Sequence, residues 1–79
     1  MEIKEIKERI AREIRQSGLK QCEIARQLNV HPTVITQYLN GRSAPALDTF
    51  AKLCIVLDVS SDYLLGITDY SGRKKEDKE

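Results

Sequence analysis

The stretch QCEIARQLNVHPTVITQYLNG, residues 21–41, decides how this chain folds. Only residues 29–31 lie between the two short helices that its apolar residues indicate, and a connection this short makes two helices cross at a steep angle. Ala25 suits such a crossing because a larger side chain would hold the two backbones apart. The stretch therefore predicts two short helices packed across a tight turn. Their inward residues follow the spacing of a helix face: Ile24, Ala25 and Leu28, then Ile35, Tyr38 and Leu39.

Residues that end and begin helices stand at suitable places around this turn. Asn29 fits the turn because asparagine adopts a positive φ more readily than most residues. Pro32 favours the first position of a helix, which makes His31 its N-cap, although Ser, Thr, Asp or Asn would cap better. His31 has a second interpretation, as a contact to a phosphate or a base. Gly41 suits the left-handed conformation that follows a helix.

A first helix precedes the turn. Ile3, Ile6, Ile10 and Ile14 are spaced by three, four and four residues, which places them on one stripe of a helix whose other positions are largely charged. Gly18 should end this helix, and we expect Leu19 to re-enter the core.

Two more helices follow the turn. Ser60 is a good N-cap for a short fifth helix, Ser61–Leu65, which Gly66 should close. The fourth helix has a narrow polar face, so we expect it to be the central helix, covered on several sides. Its apolar residues are Leu47, Phe50, Ala51, Leu53, Cys54 and Leu57. The sequence predicts an all-α fold of five helices.

Length and charge indicate one small domain. The chain has 79 residues, and we assign residues 1–70 to the domain and residues 71–79, SGRKKEDKE, to a charged tail or the start of a linker. The net charge is +1, divided as +3 over residues 1–45 (eight Lys and Arg, five Glu) and −2 over residues 46–79 (five Lys and Arg, seven Asp and Glu). This asymmetry agrees with nucleic-acid binding but does not identify it.

Several classes of protein are excluded by what the sequence lacks. No apolar run approaches the roughly 18 residues of a membrane span, and the N-terminus is too densely charged for a signal peptide, so we expect a cytoplasmic protein. Cys22 and Cys54 are far apart and there is one histidine, so we expect no metal, no cofactor and no enzyme activity. We expect Cys54 in the core and Cys22 partly exposed. No small-molecule ligand is evident.

The sequence resembles the phage-repressor/Cro-type helix-turn-helix family, also called lambda-repressor-like, over about residues 3–67. The resemblance rests on Gln21-x-x-Ile24-Ala25, on Val30 and Ile35, on Asn40-Gly41, on Pro45 and on VSSDYLLG at residues 59–66. The family usually has Gly where this chain has Asn29, and Ser or Thr where it has His31. The resemblance implies a compact five-helix domain, with helices 2 and 3 as the helix-turn-helix, that binds operator DNA as a dimer and regulates transcription, as a repressor in our interpretation.

An α-helix fits the major groove, where side chains near its N-terminus reach base edges. On helix 3 we expect Thr33 and Gln37 to contribute most, and Val34 to be exposed at the edge of the inward face. No Lys or Arg occurs in residues 31–40, so readout should favour A·T pairs, apolar contacts and water. The candidate base contacts are Pro32, Thr33, Val34, Thr36 and Gln37.

Contacts to the DNA backbone should supply the affinity. The resemblance implies that Gln21 holds a phosphate and that the loop after helix 3 meets the backbone. Arg26 is the weakest further candidate. The candidate backbone contacts are Lys20, Gln21, Asn40, Arg42 and Ser43.

One domain reads about half of an operator, so we expect two copies on sites about one helical turn, ~34 Å, apart. We place the dimer surface near the fifth helix, at Tyr63, Ile67 and Tyr70, and Leu64 in the core. The alternative function is a protein-interaction module of the same fold, such as an antitoxin, in which DNA binding is secondary or lost. The neutral helix 3 and the small net charge favour this alternative.

Overall fold

The computed structural model of the protein describes residues 2–70, and these residues form helices without any strand. This confirms the predicted all-α fold of five helices. The tail assigned to residues 71–79 lies outside the described residues. Across residues 2–70, each helix is too short or too polar to cross a bilayer. The helices are α1 (Ile3–Gln16), α2 (Gln21–Leu28), α3 (Pro32–Leu39), α4 (Leu47–Leu57) and α5 (Ser61–Leu65).

The residues directly after α2, α4 and α5 adopt the left-handed conformation. Asn29 has φ +59° after α2, as predicted, and Asp58 has φ +58° after α4. Gly66 follows α5 with φ +88°, and a Cβ there would lie 2.9 Å from a guanidinium nitrogen of Arg9. The backbone conformation therefore favours glycine at this position, whereas the flexible Arg9 side chain could move away from a Cβ.

Each helix places one large side chain at the centre of the core. α1 packs against α3 and α5, and α2 packs against α3 and α4. The helix α3 is therefore held between α1 and α2, with one side left for solvent. The largest fully buried side chains are Ile10, Ile24, Ile35, Leu53 and Leu64.

The prediction that α4 is the central helix was wrong. Leu47 is 87% exposed and Ile55 is 79% exposed, whereas Leu53, Cys54 and Leu57 are buried. Because α4 packs mainly on α2, neighbouring helices cover only one of its sides. The apolar spacing identified the helix correctly but not the extent of its burial.

Two smaller expectations about burial were also wrong. Leu19 lies at the surface instead of re-entering the core, because the turn between α1 and α2 keeps it outside. Val34 is half-buried and packs against the core, since α1 and α2 both lie against α3. The prediction for the cysteines is confirmed: Cys54 is buried and Cys22 is exposed.

Candidate nucleic-acid interface

The outward side of α3 is polar, neutral and accessible. Pro32 and Thr33 are exposed in its first turn, and Thr36 and Gln37 are exposed one turn later. Within residues 2–70, the side chains of Thr33 and Gln37 make no hydrogen bond. Both therefore keep their donors and acceptors for an external ligand. Val34 is the one candidate base contact that is half-buried, so only part of its side chain is available.

The N-terminus of α2 is joined to α3 by a side-chain hydrogen bond. The hydroxyl of Thr36 donates to Oε1 of Gln21 across 3.1 Å. Within residues 2–70, both N–H donors of the Gln21 amide group are left without a partner, so this group can donate to an external acceptor. Two residues predicted for different roles, one on the DNA backbone and one on a base, thus form a single unit on the same surface.

His31 caps α3. Its Nδ1 atom accepts a hydrogen bond from the backbone N–H of Thr33 at 3.1 Å. A neutral imidazole that accepts at Nδ1 carries its proton on Nε2, which remains a donor. The interpretation of His31 as an N-cap is confirmed, and Pro32 occupies the first helical position as predicted.

The loop after α3 is organised by its own polar groups. The backbone N–H of Arg42 donates to Oδ1 of Asn40 at 3.1 Å and to the carbonyl oxygen of Gln37 at 3.0 Å. In the part of the chain that the structure describes, the Asn40 amide N–H groups make no hydrogen bond, and the Arg42 side chain is exposed. Ser43 is half-buried. The bonds to Asn40 and Gln37 fix the backbone position from which the Arg42 side chain extends.

Two basic residues of α1, which the sequence reasoning missed, hold the other end of α3. Arg15 Nη2 donates to the carbonyl oxygen of Leu39 at 2.9 Å, and Lys7 Nζ lies 3.4 Å from the carbonyl oxygen of Gly41. The last carbonyls of a helix lack partners within it and attract cations. The spacing of four residues between Lys7, Ala11 and Arg15 was a signal in the sequence, because it places both basic residues on one stripe of α1. In the structure Ala11 is buried, and this stripe faces α3.

Comparison with known proteins agrees with this geometry. Residues 9–64 match the helix-turn-helix family. The chain belongs to this helix-turn-helix family. It is similar to the HTH-type transcriptional regulator ImmR of Bacillus subtilis (strain 168), with 36% identity over 67 residues. That alignment covers 84% of this chain and 53% of ImmR, so the chain spans about half the length of this relative. No solved structure matches the chain.

The family assignment confirms the resemblance that the motif residues indicated. α2 and α3 are the two helices of the helix-turn-helix, and both lie within the matched residues. The family is one of DNA-binding transcriptional regulators and is not a family of enzymes.

Positive charge in this helix-turn-helix protein lies beside α3 and not on it. Lys20 directly precedes α2, and Arg42 lies in the loop after α3. Both side chains are exposed. Arg26 is engaged, because its guanidinium forms an ion pair with Glu23. The hydrogen bond from Arg26 lowers the pKa of the Glu23 carboxyl, and the same bond raises the pKa of Arg26. Within residues 2–70, the charges of Lys20 and Arg42 are therefore unpaired, whereas that of Arg26 is paired.

The C-terminal residues predicted for a dimer surface differ in their exposure. Tyr63 is half-buried, and its hydroxyl donates to Oε2 of Glu13 at 3.1 Å. Glu13 itself is only 3% exposed, so this bond belongs to the contact between α1 and α5. Ile67 and Tyr70 are exposed. The Tyr63 hydroxyl is thus used within the helix-turn-helix domain, whereas Ile67 and Tyr70 present free apolar surface.

Proposed function

We propose that this protein is a sequence-specific DNA-binding transcriptional regulator that inserts α3 into the major groove of an operator. One observation carries the proposal. Thr33 and Gln37 lie exposed on a helix that α1 and α2 hold in place, and within residues 2–70 neither side chain has a hydrogen-bond partner. A rigid helix that presents unsatisfied polar side chains on its open side suits the reading of base edges.

The chemistry of α3 favours A·T pairs. The Gln37 amide carries a donor and an acceptor in one plane, which match N7 and N6 of adenine. Thr33 donates or accepts at a neighbouring base, and the exposed part of Val34 contacts a thymine methyl group. Pro32 and Thr36 complete the base-facing set, and the bond from the Thr36 hydroxyl to Gln21 fixes the orientation of that hydroxyl.

Phosphate contacts surround this reading helix. The free N–H donors of Gln21 and the N-terminal N–H groups of α2 hold one phosphate. Lys20 supplies charge beside them. On the other side of α3, Asn40, Arg42 and Ser43 meet the DNA backbone from the loop, with Arg42 as the only cation among them. These contacts position α3 and give the binding its salt dependence.

The role in transcription is supported by the relative and by the family. ImmR is a transcriptional regulator by name, and the resemblance to phage repressors favours repression. Two copies bind one operator, on half-sites about one helical turn, ~34 Å, apart. Exposed Ile67 and Tyr70, with the rim of Tyr63, form the C-terminal surface that is available to a second copy.

The test is selection of binding sites from random duplex DNA with the purified 79-residue protein, carried out at two salt concentrations. We expect a palindromic, A·T-rich motif and a linear fall of log affinity with log salt, with a slope of about −0.9 per phosphate contact. A promoter fused to the recovered site should lose transcription when the protein is supplied.

Other outcomes have distinct meanings. Salt-sensitive binding without a motif would contradict sequence-specific reading by α3. The absence of binding at both salt concentrations would reject the proposal and favour the protein-interaction module of the same fold.

A further inference from the structure

The solvent side of α4 carries an apolar stripe. Leu47, Ala51 and Ile55 are spaced by four residues, so they align along one side of the helix over about 12 Å. Leu47 and Ile55 are among the most exposed large apolar side chains of the protein, and Ala51 is exposed between them. Single exposed apolar residues are common, but an aligned set on one helix indicates an interaction surface.

Charges of opposite sign follow one edge of this stripe. Asp48 and Lys52 are both exposed and are four residues apart, and they form no ion pair with each other or with any residue of 2–70. One Asp48 oxygen accepts a hydrogen bond from the neighbouring backbone N–H of Thr49, while the Lys52 ammonium group makes no hydrogen bond in the same part of the chain. Both charges are available to a molecule that covers the stripe.

We propose that the α4 stripe, Leu47, Ala51 and Ile55, binds a second copy of this chain, with the two α4 helices antiparallel. A twofold axis at Ala51 places each Leu47 opposite Ile55 of the second copy. The same axis brings each Asp48 beside Lys52 of the second copy, because both residues lie on the same edge. An isologous contact requires a surface that is complementary to itself. The two Leu47–Ile55 contacts and the two Asp48–Lys52 contacts that this axis relates meet that requirement.

Ala51 at the centre also favours a helix from another copy. A small residue at a helix crossing lets the two backbones approach closely, and larger residues at both ends then enclose the contact. The charge pattern also favours a second copy as the partner. Asp48 and Lys52 are both neutralised only by a surface that presents the opposite charges in the reverse order. An antiparallel copy of the same helix supplies that order.

The contact is small. One face of an 11-residue helix buries less than the roughly 800 Å² per partner of a standard interface, so the free protein should associate weakly. The role of this contact in pairing two copies on an operator rests on the proposed function. The association itself does not, because it can be measured without DNA.

The α4 stripe is separate from the C-terminal surface of Ile67 and Tyr70. α4 packs on α2, whereas α5 packs on α1, so the two surfaces are carried by different helix pairs. A substitution can therefore be placed on one surface without touching the other. This separation allows the two candidate contacts to be tested independently.

The test is sedimentation equilibrium of the complete chain without DNA, using charge reversals on α4. Asp48→Lys and Lys52→Asp each place like charges across the proposed axis, so each variant alone should associate at least tenfold more weakly than wild type. An equimolar mixture of the two variants should recover association at or above the wild-type level, because each Lys then meets an Asp.

Matched controls reproduce the charge changes elsewhere. Glu5→Lys alters an acidic residue in the first turn of α1, the position that Asp48 has in α4, and Arg12→Glu alters an exposed basic residue. Both controls should associate as wild type does. Circular dichroism should show that all four variants are folded, since the four altered side chains are exposed.

Three results would overturn the proposal: a monomeric wild type at millimolar concentration, variants that associate normally, or a mixture that fails to recover. Dissociation by Ile67→Glu but not by Ile55→Glu would also overturn it and assign pairing to the C-terminal surface.

If a charge variant fails to fold, Ala51→Cys in a Cys22→Ala background gives the same decision. Under mild oxidation the proposal expects a disulfide-linked dimer through position 51, and its absence contradicts it. Failure to select a DNA motif, in contrast, would leave this association unchanged.

Discussion

The helices α3 and α4 are both packed on one side and open on the other, but their open sides differ in chemistry. α3 presents Thr33 and Gln37, which are neutral hydrogen-bonding side chains. α4 presents Leu47 and Ile55, which cannot form hydrogen bonds. In both helices the buried side follows the same rule, with apolar residues at helical spacing. Packing therefore sets the position of a helix, while its uncovered residues determine which kind of molecule it can bind.

The largest expected effect comes from breaking the crossing that holds α3 in place. Ala25 is only 1% exposed, and Ala25→Leu adds three carbons between α2 and its neighbours. We expect the free energy of unfolding to fall by about 1–3 kcal/mol through overpacking, measured by urea denaturation. Ala51→Leu is the matched control on the open side of α4 and should change the unfolding free energy by less than about 0.5 kcal/mol. Equal effects of the two variants would contradict the steep, close crossing.

A second substitution tests the open side of α3. Gln37→Ala should lower discrimination at one base pair by about 1–3 kcal/mol and leave the free energy of unfolding nearly unchanged, because the side chain is exposed and unbonded within residues 2–70. Competition binding with single base-pair changes in the selected site measures the discrimination. Gln16→Ala, at the exposed end of α1, is the control. An unaltered base preference would remove Gln37 from the reading surface.

A smaller and different effect is expected beside α3. Arg42→Ala removes an exposed cation but no base contact, so it should weaken binding to all sequences alike and reduce the salt slope by about one. Titrations of the selected site and of unrelated DNA, each at several salt concentrations, measure both quantities. Arg12→Ala removes an exposed cation from α1, outside α3 and the loop that follows it, and should leave the slope as it is. A sequence-dependent loss in Arg42→Ala would place this residue on a base instead.

The smallest effect concerns the buried sides of both helices. Burial raises the pKa of the Cys54 thiol on α4 and of the Tyr38 hydroxyl on α3. A pKa raised by folding gives stability that is complete below the unfolded-state value, about 8.5 for Cys and about 10 for Tyr. That stability is lost as the pH rises through the folded-state pKa.

The free energy of unfolding should therefore fall above about pH 8.5, by at most about 1.4 kcal/mol per pH unit for each group. Urea denaturation from pH 7 to 11 measures the profile. Cys54→Ala should flatten the part below about pH 10, whereas Cys22→Ala, at an exposed cysteine, should not. A profile that stays flat in wild type would contradict the burial of these two groups.

Local signals in the sequence predicted the helices well. Asn29 and Gly66 adopt the left-handed conformation that was expected of them, and Pro32 and Ser60 begin helices as predicted. These features depend on neighbouring residues in the chain, so the sequence contains the information directly. The family resemblance was confirmed for the same reason, because its motifs lie at the helix ends and on the inward faces.

Long-range features could not be predicted in this way. The spacing of apolar residues in α4 identifies a helix, but Leu47 and Ile55 are exposed because of how few elements pack on α4. The bond from Thr36 to Gln21 joins residues 15 positions apart and depends on the angle between α2 and α3. The contacts of each candidate residue with DNA remain predictions, since they depend on a second molecule.

The independence of Thr33 and Gln37 from the rest of the fold has a consequence for how such a protein can change. Residues that fix the position of α3, such as Arg15 at its end and Ile35 in its core, are different from those that face outward. On the proposed function, substitutions at positions 33 and 37 should therefore alter the preferred operator without lowering the free energy of unfolding. Such a scaffold would acquire new target sites one residue at a time, because each intermediate sequence still folds.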